Sequence, residues 1–402
     1  MSSKILSKDI SIINSSDKKQ TYSKPPKAMR GLPHRNLISL VIAISCFGLL
    51  MVYSASAPEA LISYHDQFYF LKRQSIAFII GLFSMISLSR FDYRNLKKVA
   101  WPLAIVSFCL LALTLIPSLS VATMGSSRWV NIGPIQFQPS ELCKVCSIIL
   151  LASGLSSKFW WQPTNLLRIL ISVVMALIIV KQPDLGTAMM IGGSMLSLLF
   201  VSGFNMMFII SGSAALVVLA WHNIHKTPYH MSRIHRWLNP YLHPHKEGWN
   251  SIQAQLAIGS GGLLGLGFGR SLQKLYYLPV QHADFIFAVI SEEFGFIGCM
   301  ILITCYVLLA YYGFKISLGA QTLFGRFLAV GITSSIALQA SMNIMVTTGL
   351  VPVTGITLPL ISYGGTSLIT TLTMVGILLS VSRDSCPIEE VIPEDNDRIK
   401  QN

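Results

Sequence analysis

Long apolar stretches separated by short polar connections fill the chain, and about ten are long enough to reach across a hydrocarbon core of roughly 30 Å. They lie near 37–57, 74–89, 99–116, 139–156, 165–181, 184–201, 204–222, 285–312, 324–348 and 363–382. Lipid offers the backbone no hydrogen-bond partners, so stretches of this length must be helices. Nothing shows the period-two alternation of a membrane barrel. The pattern predicts an all-α fold: a polytopic membrane helical bundle of about ten transmembrane helices, with a large extracytoplasmic loop, 223–283, between helices 7 and 8. Residues 1–36 read as a basic, disordered cytoplasmic tail, 37–383 as the transmembrane domain and 384–402 as a second cytoplasmic tail. The first 35 residues have no apolar core of their own, so no cleavable signal peptide is expected.

Composition agrees with this class. Hydrophobic residues make up 52% of the 402 residues and charged ones only 12%, whereas a soluble globule carries about 25% charged residues. The net charge of +13 is largely a topology signal. Lys4, Lys8, Lys18, Lys19, Lys24, Lys27, Arg30 and Arg35 precede the first span, and Arg90, Arg94, Lys97 and Lys98 follow the second. This predicts a multi-pass protein of the cytoplasmic (inner) membrane with both termini cytoplasmic. The basic charge attracts anionic lipid heads, and no soluble basic domain suggests nucleic acid. One segment departs from the bias. Residues 223–283 carry Lys226, Arg233, Arg236, Lys246, Arg270 and Lys274 beside His225, His230, His235, His243 and His245, which suits either an anionic partner or lipid headgroups. The seven cysteines fall in spans or the tail, so no disulfide framework is expected, and Cys143 and Cys146 read as packing.

With this topology the polar motifs gather on the extracytoplasmic side. Asp284 stands where a loop carrying His282 enters an apolar helix, so it is either a helix cap or a functional carboxylate facing a substrate path. Glu141 and Lys144, three apart on one helix, either neutralise each other or meet substrate. Asp184 follows Pro183 and suits capping as well as contact with a ligand. Arg128 beside Trp129 could anchor at the interface. The Gly and Pro residues of 349–365 allow a broken stretch, tolerated at membrane depth only under protein cover or around a cavity, which Ser362, Tyr363 and Thr366 would line. The glycine run 259–269 fits no nucleotide-binding pattern and is expected to pack a loop over the membrane surface. Of Glu292 and Glu293, one is expected to pair with a polar group inside the bundle.

Taken in order, Ser127-Arg-Trp129, Gln138-Pro-Ser-Glu-Leu-Cys-Lys144, Gln182-Pro-Asp-Leu-Gly-Thr187, Gly259-Ser-Gly-Gly262, Asp284-Phe-Ile-Phe-Ala288 and Leu358-Pro-Leu-Ile-Ser-Tyr-Gly-Gly365 resemble the SEDS proteins (shape, elongation, division and sporulation). The likeness covers about 37–383. Met51-Val-Tyr-Ser-Ala-Ser56, Phe68-Tyr-Phe-Leu-Lys-Arg-Gln74 and Thr357 look like the division-type branch. The resemblance implies a peptidoglycan glycosyltransferase that polymerises lipid II onto a polyprenyl-pyrophosphate-linked glycan during septal cell-wall synthesis, on the outer face of the membrane at the division septum. It implies a class B penicillin-binding protein transpeptidase as partner, together with other division proteins. Asp284 aligns with the family's essential loop aspartate, and Arg128, Glu141, Lys144, Asp184 and His282 fall on other characteristic positions. Departures stand at Asn239, Trp249, Asn250, Val280 and Ala283.

On that reading Asp284 is the catalytic candidate, taking a proton from the attacking sugar hydroxyl. Arg128, Lys144, Arg233 and Arg236 are candidates for holding the pyrophosphate. A divalent cation, Mg or Mn, with Asp284 as ligand rather than base, is left open; no nucleotide and no haem are expected. Two other classes stand beside the enzyme. A lipid II flippase would suit ten spans with broken segments, although no inverted repeat is visible, and a non-catalytic scaffold of the division machinery would leave Asp284 dispensable.

Overall fold

The computed structural model describes residues 32–114, 120–123, 126–132, 135–157, 162–182, 184–226, 228–242, 248–274 and 281–385. The expectations for the tails at 1–31 and 386–402 lie outside these residues. In chain order the helices are α1 (Arg35–Tyr64), α2 (Tyr69–Arg90), α3 (Leu96–Leu113), α4 (Pro139–Leu155), α5 (Pro163–Lys181), α6 (Leu185–Val201), α7 (Met206–Lys226), α8 (Pro228–Leu238), α9 (Trp249–Ser260), α10 (Ile286–Gly319), α11 (Leu323–Thr347) and α12 (Gly365–Ser382). Each of the ten expected spans is a helix, α1 to α7 and α10 to α12. Among the described residues, seven helices are long and apolar enough to cross a membrane. The protein is a multi-pass membrane protein.

Large apolar side chains cover the outside of the bundle, and its apolar interior also holds many of the polar groups, as lipid requires. Ile79, Phe83, Ile301 and Val307 are exposed, whereas Thr333, Ser335, Asn343 and Thr371 are wholly buried. Helices α11 and α12 form the centre, α12 lying along α2 and α11 between α10 and α6. Small residues allow the close approaches. A Cβ on Gly376 would stand 2.8 Å from the Met85 backbone, and one on Gly48 would stand 2.5 Å from the Leu360 carbonyl oxygen.

Two features depart from a plain bundle. A three-stranded antiparallel sheet, β1 (Ser120–Thr123), β2 (Ser126–Ile132) and β3 (Ile135–Phe137), precedes α4, where the sequence pattern predicts only a polar connection. The long connection read as a loop also holds two helices, α8 and α9, and its glycine run is joined to a break in α10. At Gly295 the backbone leaves the helix (φ 67°, ψ −165°). The freed groups find partners in the run: Leu266 N–H donates to Glu292 O (2.9 Å), Gly267 N–H to Glu293 O (3.0 Å) and Phe296 N–H to Gly262 O (2.9 Å). The glycines therefore serve the interior of a broken helix, where irregular backbone needs protein partners. Gly265 has φ +79°, and a Cβ there would lie 2.2 Å from Glu293 O. Gly265→Ala is expected to abolish recovery of monodisperse protein in detergent size-exclusion chromatography, because left-handed strain of about 1–3 kcal/mol adds to a backbone clash. Leu264→Ala, at a side chain 78% exposed, should leave the elution profile unchanged.

Candidate functional site

The site is organised by the non-helical stretch between α11 and α12. Residues 352–358 have no regular structure, and Leu360, with φ 68°, sits in the left-handed region that side chains avoid. Its backbone is held by side chains from all round. Asn343 Nδ2 donates to Ile356 O (2.6 Å), Gln339 Nε2 to Thr357 O (3.1 Å), Arg233 Nη1 to Val353 O (2.9 Å) and Trp237 Nε1 to Gly349 O (2.8 Å). Of the two conditions for broken backbone at membrane depth, protein cover is thus met here. Ser362 is buried; its hydroxyl accepts from Leu358 N–H (2.7 Å) and donates to Ala283 O (2.6 Å).

That last bond begins a clamp on the loop of Asp284. Tyr363 N–H donates to His282 O (2.8 Å), Ser362 to Ala283 O, and Asn343 Nδ2 to Asp284 O (2.9 Å). Three consecutive carbonyls of the loop are thus fixed. Asp284 is half-buried. Phe285, not Asp284, occupies the N-cap of α10, and no side-chain cap bond is made there. The upstream side of the loop is tied to the α10 break. Glu292 accepts from Leu272 N–H (3.0 Å), Gln273 N–H (3.4 Å) and the Ser271 hydroxyl. Glu293 accepts from Lys274 Nζ (3.1 Å) and Ser54 (2.7 Å). Both carboxylates are engaged, where one was expected. Gln281 Nε2 closes the loop by donating to Lys274 O and Ala55 O, each at 2.8 Å.

His282 is buried with Nδ1 3.3 Å from Glu59 Oε2, and its ring packs 4.4 Å from Phe70 and 5.3 Å from Tyr363. Arg73, an exposed cation, lies over Tyr69 (4.6 Å) and reaches the half-buried Tyr363 phenol. On the turn before α2, the Lys72 ammonium at 2.7 Å and the Phe68 N–H hold the Asp66 carboxyl below its ordinary range. Glu59, Arg73, Gln339 and Asn343 are missing from the sequence candidates. Glu59, Gln339 and Asn343 sit inside apolar helices outside the family motifs, where only an ionisable or amide group within a span could have flagged them; Arg73 lies within the motif 68–74, which points to the branch rather than to site residues.

Glu141 and Lys144 form a buried pair (2.9 Å) on α4, with Lys144 1% exposed. Lys144 Nζ also donates to Gln339 Oε1 (2.7 Å), and Thr370 donates to Glu141 (2.8 Å). Gln339 links the pair to Thr357, hence to the broken stretch. Asp184 is buried and caps α6, accepting from Thr187 N–H (3.1 Å) and hydroxyl (2.8 Å), with Gln138 at 3.3 Å. Arg233 is bound to the Val353 carbonyl. Arg128 lies on β2 and Arg236 on α8, with side chains outside the described residues. Among the described residues no three His, Cys, Asp or Glu side chains gather as a metal cage.

Residues 34–386 match the family model described as cell cycle protein, which groups FtsW, RodA and SpoVE. The chain is 40% identical over 351 residues, 86% of its length and 93% of the relative's, to the probable peptidoglycan glycosyltransferase FtsW of Geobacter metallireducens. It is 41% identical to stage V sporulation protein E of Bacillus subtilis, over 88% of this chain and 98% of that one. Among solved structures, a chain from the work titled "Structural coordination of polymerization and crosslinking by a peptidoglycan synthase complex" superposes with TM-score 0.72 at 32% identity, over 88% of this chain and 98% of that one. The rod shape determining protein RodA of Thermus thermophilus superposes with TM-score 0.66 at 31% identity, again over 88% and 98%.

Proposed function

The chain belongs to the FtsW, RodA and SpoVE family of cell cycle proteins, and from that premise we propose that it polymerises lipid II into glycan strands during septal cell-wall synthesis. It is a peptidoglycan glycosyltransferase, the activity carried in the names of relatives at 40% identity. Its partner is a penicillin-binding protein, and by our reading a class B transpeptidase, in line with the synthase complex it superposes on. We place both termini in the cytoplasm and the site on the outer face of the cytoplasmic membrane, because the Lys and Arg residues of 1–36 and 90–98 favour the inner side.

One observation carries the mechanistic reading: the loop of Asp284 is clamped at three successive carbonyls, two by the stretch between α11 and α12 and the third by Asn343 on α11. This gives a half-buried carboxylate a fixed place at a helix mouth. The 4-hydroxyl of an incoming lipid II sugar attacks the anomeric carbon of the growing strand. Asp284 takes the hydroxyl proton as the new C–O bond forms, and the bond to pyrophosphate breaks with its electron pair leaving on the phosphate oxygen. The centre inverts. One carboxylate suffices because the leaving group departs as an anion needing no proton, unlike the sugar alkoxide of a glycosidase. Arg233, Arg236 and Arg128 supply cations for the pyrophosphate, whereas Lys144, buried and committed to Glu141 and Gln339, acts from inside the bundle. A Mg or Mn ion on Asp284 would need ligands from pyrophosphate and water, as Mg commonly takes them; it would supply charge neutralisation at the leaving group. Both substrates keep their tails in the bilayer, which reduces the entropy lost on bringing them together.

Purified lipid II incubated with the protein co-purified with its transpeptidase should yield glycan strands resolved by gel electrophoresis. Strands establish polymerisation. No strands with the partner bound would move the assignment to lipid II transport or to scaffolding.

A further inference from the structure

We infer that Asn343, with Gln339 one turn before it, is a positioning residue that sets the place of Asp284 against the buried Lys144–Glu141 pair; this rests on the glycosyltransferase reading. The two amides project from one face of α11, four residues apart. They bind neighbouring carbonyls of the broken stretch, Asn343 that of Ile356 (2.6 Å) and Gln339 that of Thr357 (3.1 Å). Each also reaches the charged group on its own side. Asn343 Nδ2 donates to the main-chain carbonyl of Asp284 (2.9 Å), and Gln339 Oε1 accepts from Lys144 Nζ (2.7 Å). One helix face and two adjacent peptide units thus connect the two charged centres.

The chemistry of Asn343 argues against simple packing. Its two partners are both carbonyls, so the amide must turn its NH₂ toward them. Its oxygen is then buried with no partner among the described residues, at a residue 0% exposed. An orphaned buried acceptor is unfavourable, and an apolar side chain would avoid it. What only the amide supplies is a two-pronged donor joining the Asp284 loop to the 356–357 backbone. A general base must lie within about 3 Å of the proton it takes, so a small drift of this loop costs rate rather than substrate affinity.

The test uses Asn343→Leu in the full chain bound to its transpeptidase. Backbone hydrogen exchange at 281–285 and at Tyr363, whose N–H holds His282 O, should quicken at least tenfold, while exchange at 271–274, anchored by Glu292, stays as in wild type. With lipid II, kcat should fall about 10- to 100-fold with KM within about threefold. Placed on Asp284→Asn, the change should cause no further loss, since a positioning residue and the group it positions act as one unit. Unchanged exchange at 281–285, or the same fold loss on both backgrounds, would overturn the inference. If the Leu variant does not fold, Asn343→Ser, which keeps one donor on a shorter arm, takes the same readouts. Absence of strands from wild type would defeat the glycosyltransferase reading, while the exchange result would still decide whether Asn343 holds the loop.

Discussion

Asp284→Asn is expected to fold, bind its transpeptidase and lose nearly all polymerisation, with turnover falling about 10²- to 10⁴-fold, the usual cost of removing a general base. At 1.36 kcal/mol for each tenfold change, that is about 3–5.5 kcal/mol of barrier. Folding should survive because the loop is held through the carbonyls of residues 282, 283 and 284, which the substitution leaves in place. Asn keeps the shape of the side chain but loses its negative charge and exchanges one acceptor oxygen for an NH₂ donor, so it cannot take the proton. The measurement is strand synthesis from lipid II at equal amounts of folded complex. A lost rate with unchanged KM assigns a role confined to the transition state. Turnover at the wild-type rate would remove Asp284 from the chemistry and favour a scaffold, for which this carboxylate is dispensable.

The bundle was readable because lipid imposes a single rule, backbone satisfied within the helix, that turns hydropathy directly into architecture. Ten apolar runs became ten helices. Where the same rule is met by side chains or by distant backbone, periodicity carries no trace of it. The break at Gly295 and its junction with residues 262–267 could not be foreseen from a glycine run that looked like a surface loop. Family motifs picked out Asp284, His282, Glu141, Lys144 and Asp184. The groups that touch them from across the fold, Glu59 on α1 and Gln339 and Asn343 on α11, needed coordinates. A lone amide in an apolar helix signals that it has a partner, but not which one.

The largest stability effect is expected at the buried pair. Among the described residues, Glu141→Ala would leave the Lys144 ammonium, 1% exposed, with the Gln339 amide oxygen as its partner. Removing one partner of a buried ion pair typically costs about 3–5 kcal/mol, because the remaining charge has neither water nor counter-charge. Lys144→Met should cost a similar amount by stranding Glu141 with Thr370. Replacing both, Glu141→Leu with Lys144→Met, removes the charges together, and apolar substitutes of similar volume often match or exceed a buried pair in stability. The double variant should therefore regain the wild-type melting temperature in detergent. Polymerisation should not return with it. Gln339 Oε1 would have lost its cationic donor, and with it the tie from α4 to the Thr357 carbonyl and the stretch that clamps Asp284. Recovery of both stability and rate in the double variant would mean that the pair only neutralises itself within the bundle. Recovery of stability alone would place Lys144 and Glu141 in the machinery that sets the catalytic carboxylate.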